Sequence, residues 1–142
     1  MKVCIAYESK YGNGKKCVEY LQNIIKAKGH DVDIFSIRNI KPDLLPEADF
    51  YIFSSPTHIG SLPWKMRRFL KKLNAKEGTK YALMTTCINL DTKVIQKMEE
   101  ILGKKGMIKI SEIKIKVRGM KGPLEEEYEE KIEKFVEEIL SY

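Results

Sequence analysis

No stretch of this 142-residue sequence approaches the roughly 20 apolar residues needed to cross a bilayer. The start, MKVCIAYESKYG, has neither a long apolar core nor the small-residue cleavage site of a secretion signal. Both absences predict a soluble cytoplasmic protein with no membrane partner. Cysteine is scarce: Cys4, Cys17 and Cys87 are odd in number, widely spaced and never in a CxxC pair. That argues against a disulfide framework and against a zinc site. Cys4 falls in an apolar strand and Cys17 on a helix, where small thiols ordinarily pack. No Arg-aromatic stripe or nucleic-acid motif occurs, so nucleic acid is not expected as a partner. No repeat, low-complexity tract or linker interrupts the chain, and residues 1–142 are expected to form a single domain.

What is present is a chain 43% hydrophobic and 32% charged, enough for a real core under a wet surface. The net charge of +6 is unevenly spread. Residues Pro123 to Tyr142 hold eight Glu and two Lys, net −6, while the remainder holds 24 basic and 12 acidic residues, net +12. A basic body of this kind suits an anionic ligand or an acidic protein partner. A solvated Lys/Glu surface is the plainer reading. Lys supplies 22 of the 26 basic residues and Gln occurs only twice, a mix that resembles thermophile composition.

Strand and helix patterns alternate along the chain. Val3 to Glu8 is a short apolar run of the kind that forms a buried parallel strand. Gly12 and Gly14 break it, and Val18, Leu21 and Ile25 then mark a helix that Gly29 ends. Asp31 to Ile37 alternates as an edge strand does, and Pro42 and Pro46 leave room only for a short helix after it. Phe50 to Ser55 and Tyr81 to Thr86 are two more apolar strands. Between them lies a basic helix, Trp64 to Leu73, entered through Pro63. Asp91 is expected to cap a helix running to about Leu102, with Gly103 stopping it. Ile113, Ile115 and Val117 alternate with Lys114, Lys116 and Arg118, as befits a sheet edge with a lysine-rich outer face. Leu124, Tyr128, Ile132, Phe135, Ile139 and Leu140 trace the apolar stripe of a last helix.

Five strands with helical crossovers predict an α/β fold, a doubly wound five-stranded parallel sheet. Three strands have runs apolar on both faces and belong in the middle, which gives the order 2-1-3-4-5. Ligands of such sheets bind beyond the carboxyl ends of the strands, where the order reverses. Here those are the segments after Glu8 and after Ser55.

The first segment, Ser9-Lys10-Tyr11-Gly12-Asn13-Gly14-Lys15, leaves a buried strand and opens a helix. Free backbone N–H groups and the positive helix end attract a phosphate there. It is neither a Walker loop nor GxGxxG, and two glycines in such a loop also serve simply to turn it. The second segment, Ser54-Ser55-Pro56-Thr57-His58-Ile59-Gly60-Ser61-Leu62-Pro63, contains one of only two histidines. His58 can stack on a flat ligand, act as an acid, or merely cover the loop. The third, Thr85-Thr86-Cys87-Ile88-Asn89-Leu90, can present backbone groups to the edge of a ring.

Taken together, SKYGNG and SSPTHIGSLP resemble the phosphate loop and the ring-holding loop of the flavodoxin family. The resemblance extends over essentially the whole chain, strand order included, and implies a flavodoxin-like fold with a non-covalent FMN site. On that resemblance Ser9, Asn13 and the backbone from Lys10 through Tyr11, Gly12 and Gly14 to Lys15 would hold the phosphate. Pro56, Thr57, His58, Ile59 and Gly60 would form the inner ring-binding loop. His58 stands where many flavodoxins place a stacking aromatic, and the Ile59–Gly60 peptide matches the one that turns over when the flavin is reduced. Thr86, Cys87, Ile88 and Asn89 would face the pyrimidine edge. The family's phosphate loop commonly reads S/T-x-T-G-N-T, and Tyr11 and Gly14 stand here at two of its hydroxyl positions.

The resemblance implies a low-potential electron-transfer protein working with redox partner proteins, acidic ones among them, as a monomer or weak dimer. Two other functions stay open. One is an FMN-dependent oxidoreductase on the same scaffold, reducing a quinone or oxidising a protoporphyrinogen. The other is a flavodoxin-fold binding module without FMN.

Overall fold

The computed structural model describes residues 1–141. Five strands, β1 (Lys2–Tyr7), β2 (Asp31–Ser36), β3 (Phe50–Pro56), β4 (Lys80–Cys87) and β5 (Ile108–Lys116), alternate with four helices. The helices are α1 (Asn13–Ala27), α2 (Trp64–Lys71), α3 (Val94–Gly103) and α4 (Tyr128–Leu140). All strand pairings are parallel, in the order β2-β1-β3-β4-β5, as the apolar patterns predict. One short 3₁₀ turn, Pro42–Leu44, is all that forms between the two prolines of the β2–β3 connection.

Successive side chains of a strand point to opposite faces, and the sheet carries two separate cores. Val3, Ile5, Ile52, Met84 and Ile115 pack with Val18, Leu21 and Ile25 of α1 and with Ile132, Phe135 and Ile139 of α4. Cys4, Ala6, Phe53, Tyr81 and Leu83 pack on the other side with Met66 and Leu70 of α2 and Ile95 and Met98 of α3. Because β1, β3 and β4 are buried on both faces, their sequences read as unbroken apolar runs rather than as alternation.

Three boundaries differ from the sequence expectation. α3 begins at Val94, and Asp91 does not cap it; Thr92 Oγ1 instead accepts a hydrogen bond from the Val94 N–H at 3.2 Å. α4 begins at Tyr128, and Leu124 lies before it in an isolated antiparallel bridge with Val117. β5 starts at Ile108, five residues before Ile113. Its first half is polar because tertiary contacts satisfy it. Lys109 pairs with Glu99 and Glu112 at 3.0 and 2.6 Å, and Ser111 bonds Glu138 of α4.

Ile52 lies fully buried at the centre of the middle strand. Ile52→Ala should therefore lower the unfolding free energy by about 2–5 kcal/mol through lost contacts and a residual cavity. Denaturant titration checks this, and a loss below about 1 kcal/mol would mean the strand is not packed on the face that α1 and α4 cover.

Candidate functional site

The sheet order reverses between β1 and β3, so the connections that follow these strands leave toward opposite faces. The crevice at their carboxyl ends is the topological switch point. The end of β1 is pinned first. The Glu8 N–H donates to the Ser54 carbonyl at 2.9 Å, extending the pairing past the strand. The Glu8 side chain is only 3% exposed, and its carboxylate accepts from Arg38 Nε at 2.7 Å and from the Ser9 N–H at 3.2 Å. A buried carboxylate needs such partners. The pair ties the end of β1 to the turn after β2.

From there the chain curls into α1. Gly12, at φ 92°, occupies the N-cap position and offers no side chain to the helix end. Lys15 N–H donates to Ser9 Oγ at 3.2 Å and Lys16 N–H to the Gly12 carbonyl at 3.0 Å. The amides of Asn13 and Gly14 find no acceptor among the described residues, and the first turn holds no acidic residue. Gly14 is buried, and a Cβ there would sit 3.3 Å from the Glu8 carbonyl oxygen. A side chain at residue 14 would crowd the helix end against the end of β1. Lys10 Nζ lies 5.4 Å from the centre of the Tyr11 ring, within cation–π range.

The second segment is held by a knot of threonines. Thr57 N–H donates to the Thr86 carbonyl at 3.0 Å, and Thr57 Oγ1 lies 3.1 Å from both Thr85 Oγ1 and Thr92 Oγ1. Three elements, the ends of β3 and β4 and the approach to α3, are locked together there. Beyond Thr57 the chain makes a two-residue hairpin. His58 and Ser61 exchange both backbone hydrogen bonds at 2.9 Å, and the residues between them, Ile59 and Gly60, have φ of 48° and 76°. Positive φ at both central positions is the type I′ geometry. Glycine takes it freely, but a β-branched residue in the left-handed region is strained. Ile59 is nonetheless fully exposed at the tip.

The third segment leaves β4 beside the end of β5. Val117 N–H donates to the Cys87 carbonyl at 2.8 Å, and the Cys87 thiol points to the Ile115 carbonyl at 3.8 Å. Burial pushes the Cys87 thiol above its ordinary pKa, and it pushes Cys4 and Cys17 up to about 12. No thiolate is therefore on offer at neutral pH.

These segments converge on one cleft of about 300 Å³. Of the residues singled out from the sequence, Ser9, Lys10, Tyr11, Asn13, Gly14, Pro56, Thr57, His58, Ile59, Thr86, Cys87 and Ile88 line it. Gly12, Lys15, Gly60 and Asn89 do not. Gly12 sets the helix start and Gly60 the hairpin turn, Lys15 braces Ser9, and the Asn89 carbonyl accepts from the Thr92 N–H at 3.4 Å. Val117 and Met120 complete the wall. Sequence reasoning missed both, although parallel pairing brings the end of β5 to the same rim as the ends of β1 and β3.

A family model for the flavodoxin domain matches residues 4–116. The chain belongs to the flavodoxin domain family. FMN-type electron transfer is that family's general chemistry. A Pseudomonas aeruginosa protein named flavodoxin FldP is 32% identical over 78 residues, 53% of this chain and 41% of that one. A Clostridium saccharobutylicum flavodoxin is 25% identical over 71 residues, 49% of this chain and 44% of its own. The matched stretch spans less than half the length of either relative. The structure of Bacillus cereus flavodoxin 2 superposes with a TM-score of 0.85 at 24% identity, over 99% of both chains. At that identity the likeness is one of fold.

The strained hairpin yields a stability prediction. Ile59→Asn creates an Asn-Gly pair, the sequence best suited to a type I′ turn, and removes no buried contact. The variant should gain about 1 kcal/mol of stability, read as a higher denaturation midpoint. An unchanged or lower midpoint would show that Ile59 is unstrained.

Proposed function

We propose that this protein binds FMN non-covalently in the cleft and serves as a low-potential electron carrier of the flavodoxin type. One observation carries the reading: the uncapped end of α1 and the His58–Ser61 hairpin, distant in sequence, border one cleft whose other walls are largely apolar. Its volume of about 300 Å³ lies at the lower end of the roughly 300–1,000 Å³ of small-molecule sites.

The donor set fits a phosphate dianion. The amides of Asn13 and Gly14, the Ser9 hydroxyl, the Asn13 side chain and the charges of Lys10 and Lys15 all lie at the positive end of α1. Tyr11 and Gly14 supply no hydroxyl of the size that the family pattern places there. Backbone amides and the two lysines offset part of that difference, since hydrogen bonds to a charged acceptor contribute about 1.5–3 kcal/mol each. Pro56, Ile59, Ile88, Val117 and Met120 would sandwich the ring and exclude water, with His58 against one face. The backbone of Thr86 to Asn89 would meet its polar edge. Bound FMN would supply the electron chemistry, and the protein would tune it. Apolar walls and the nearby phosphate disfavour added negative charge on the ring. Lys10, which lines the cleft, opposes that effect, so reduction should be easier here than in an acidic setting.

Electrons would pass to and from partner proteins over the exposed hairpin tip. Among the described residues no helix is long and apolar enough to cross a membrane. We further propose that residues 1–142 work as one unit.

Titration of FMN into the purified protein should quench the flavin's fluorescence with one-to-one stoichiometry. Asn13→Ala should weaken that binding by about tenfold or more, the loss of one hydrogen bond to a charged group. Absence of quenching at saturating FMN refutes the reading, and unchanged affinity in the variant refutes the phosphate-loop assignment. Reduction in two resolved one-electron stages supports a carrier. Direct two-electron turnover of a quinone would instead make the protein an enzyme.

A further inference from the structure

A second concave surface lies beside the cleft and has no role in holding a flavin. It is an open groove of about 620 Å³ between the β2–β3 connection and α2. Ile37, Ile40, Pro42 and Phe69 give it an apolar floor, and Trp64 stands over it. Trp64 is 65% exposed, the first residue of α2, and joined to the hairpin tip at Ile59 by only a few residues of chain. An aromatic of that size left in water at a concave site is a feature of binding surfaces rather than of free ones.

The charge around the groove is of one sign. Helix α2 reads WKMRRFLK and holds no acidic residue. Lys65, Arg67, Arg68, Lys71 and Lys72 are all exposed, and none of them forms an ion pair among the described residues. Lys41 adds a further cation on the facing wall, and Asp43 is the one carboxylate among the lining residues. Arg38 and Lys109, by contrast, have carboxylate partners, Glu8 for the first and Glu99 and Glu112 for the second.

We infer that this groove docks an acidic protein partner, one whose carboxylates flank an apolar side chain that inserts against Trp64. An apolar centre with a charged rim is the anatomy of a protein interface, in which the buried aromatic anchors and the rim charges steer approach. The groove is short, since α2 spans only eight residues, and the one aromatic of its floor, Phe69, is buried. Those features favour a folded protein's edge over a nucleic-acid strand, which needs a basic track with stacking positions along it. The acidic α4 of a second copy is the other candidate within reach. Within α4, Glu133 accepts from Tyr20 at 2.7 Å and Glu138 accepts from Ser111, which leaves Glu129, Glu130 and Glu137 exposed on the face of the sheet opposite α2. A contact between α2 of one copy and α4 of the next would be heterologous and would not close into a dimer. The docking surface rests on the electron-carrier reading for its purpose, because Trp64 follows the cleft-lining Ile59 by only five residues of chain. Its recognition chemistry does not involve FMN.

Trp64 is the only tryptophan in the chain, so its emission reports on the groove. The probe is a synthetic peptide with glutamates flanking one leucine and one phenylalanine. It is compared with the same peptide carrying lysines, with a single-stranded oligonucleotide and with phosphatidylserine vesicles. The acidic peptide should shift Trp64 emission saturably, and added sodium chloride should weaken it. The double change Lys65→Glu with Arg68→Glu should reduce the affinity by about tenfold or more, and Lys72→Glu alone should reduce it less. FMN quenching by either variant should match the wild type, because none of these residues lines the flavin cleft. A silent Trp64, or an equal response to the lysine peptide, overturns the docking surface even when FMN binds normally. Loss of FMN binding with an intact peptide response overturns only the electron-carrier reading. A stronger response to the oligonucleotide or the vesicles overturns the choice of a protein partner. Self-association on size exclusion that the double variant abolishes would assign the groove to a second copy and overturn the proposal too.

Discussion

The demand that β1, β3 and β4 be covered on both faces is the constraint on which everything else in this molecule rests. Apolar residues at successive positions leave no face of these strands fit for water, so helices must lie on both sides. Right-handed crossovers then place α1 and α4 on one face and α2 and α3 on the other. A chain that winds outward in both directions from its first strand has to leave a gap at the reversal. The cleft is that gap, and it forms whether or not any side chain near it has chemistry to perform.

What turns the gap into a site is how firmly its rims are held. Glu8 and Arg38 anchor the end of β1 to the neighbouring turn, and Thr57, Thr85 and Thr92 knot the ends of β3 and β4 to the start of α3. These are side chains bonding to one another below the rim, which leaves the amides of Asn13 and Gly14 and the ring of His58 free to meet a ligand. The hairpin tip is the exception. It is braced at His58 and Ser61 but strained at Ile59, so the most exposed part of the rim is also the part with the least to lose by moving.

Much of this was legible in the sequence, and the misses have physical reasons. The three central strands, their order and two of the three cleft segments followed from apolar runs and from the glycines at 12, 14 and 60. Most of the residues singled out do meet in the cleft, because strand ends are fixed by topology and loops have few residues to spend. The start of β5 was hidden because Lys109 and Ser111 are polar yet satisfied by Glu99 of α3 and Glu138 of α4, partners on other elements, with Glu112 of the same strand also pairing Lys109. Asp91 looked like a cap, but Thr92 does that work because its hydroxyl is drawn into the threonine knot. Val117 and Met120 were missed because the RGMKGP loop carries no signal of its own and reaches the cleft only through the register of β5 on β4. Nothing in an isolated Ile-Gly pair announces a left-handed isoleucine.

The placement of sulfur has a consequence for how the molecule ages. All three cysteines are at most 2% exposed, and burial outweighs the pull of the neighbouring lysines, which keeps each a thiol. An oxidant reaching the surface finds no ready thiol to capture, and two copies present each other no surface thiol for a disulfide. A protein proposed to pass electrons all its working life thus keeps its thiols out of the circuit, and wear of that kind falls first on Met120, at the mouth of the cleft, the more exposed of its two surface methionines.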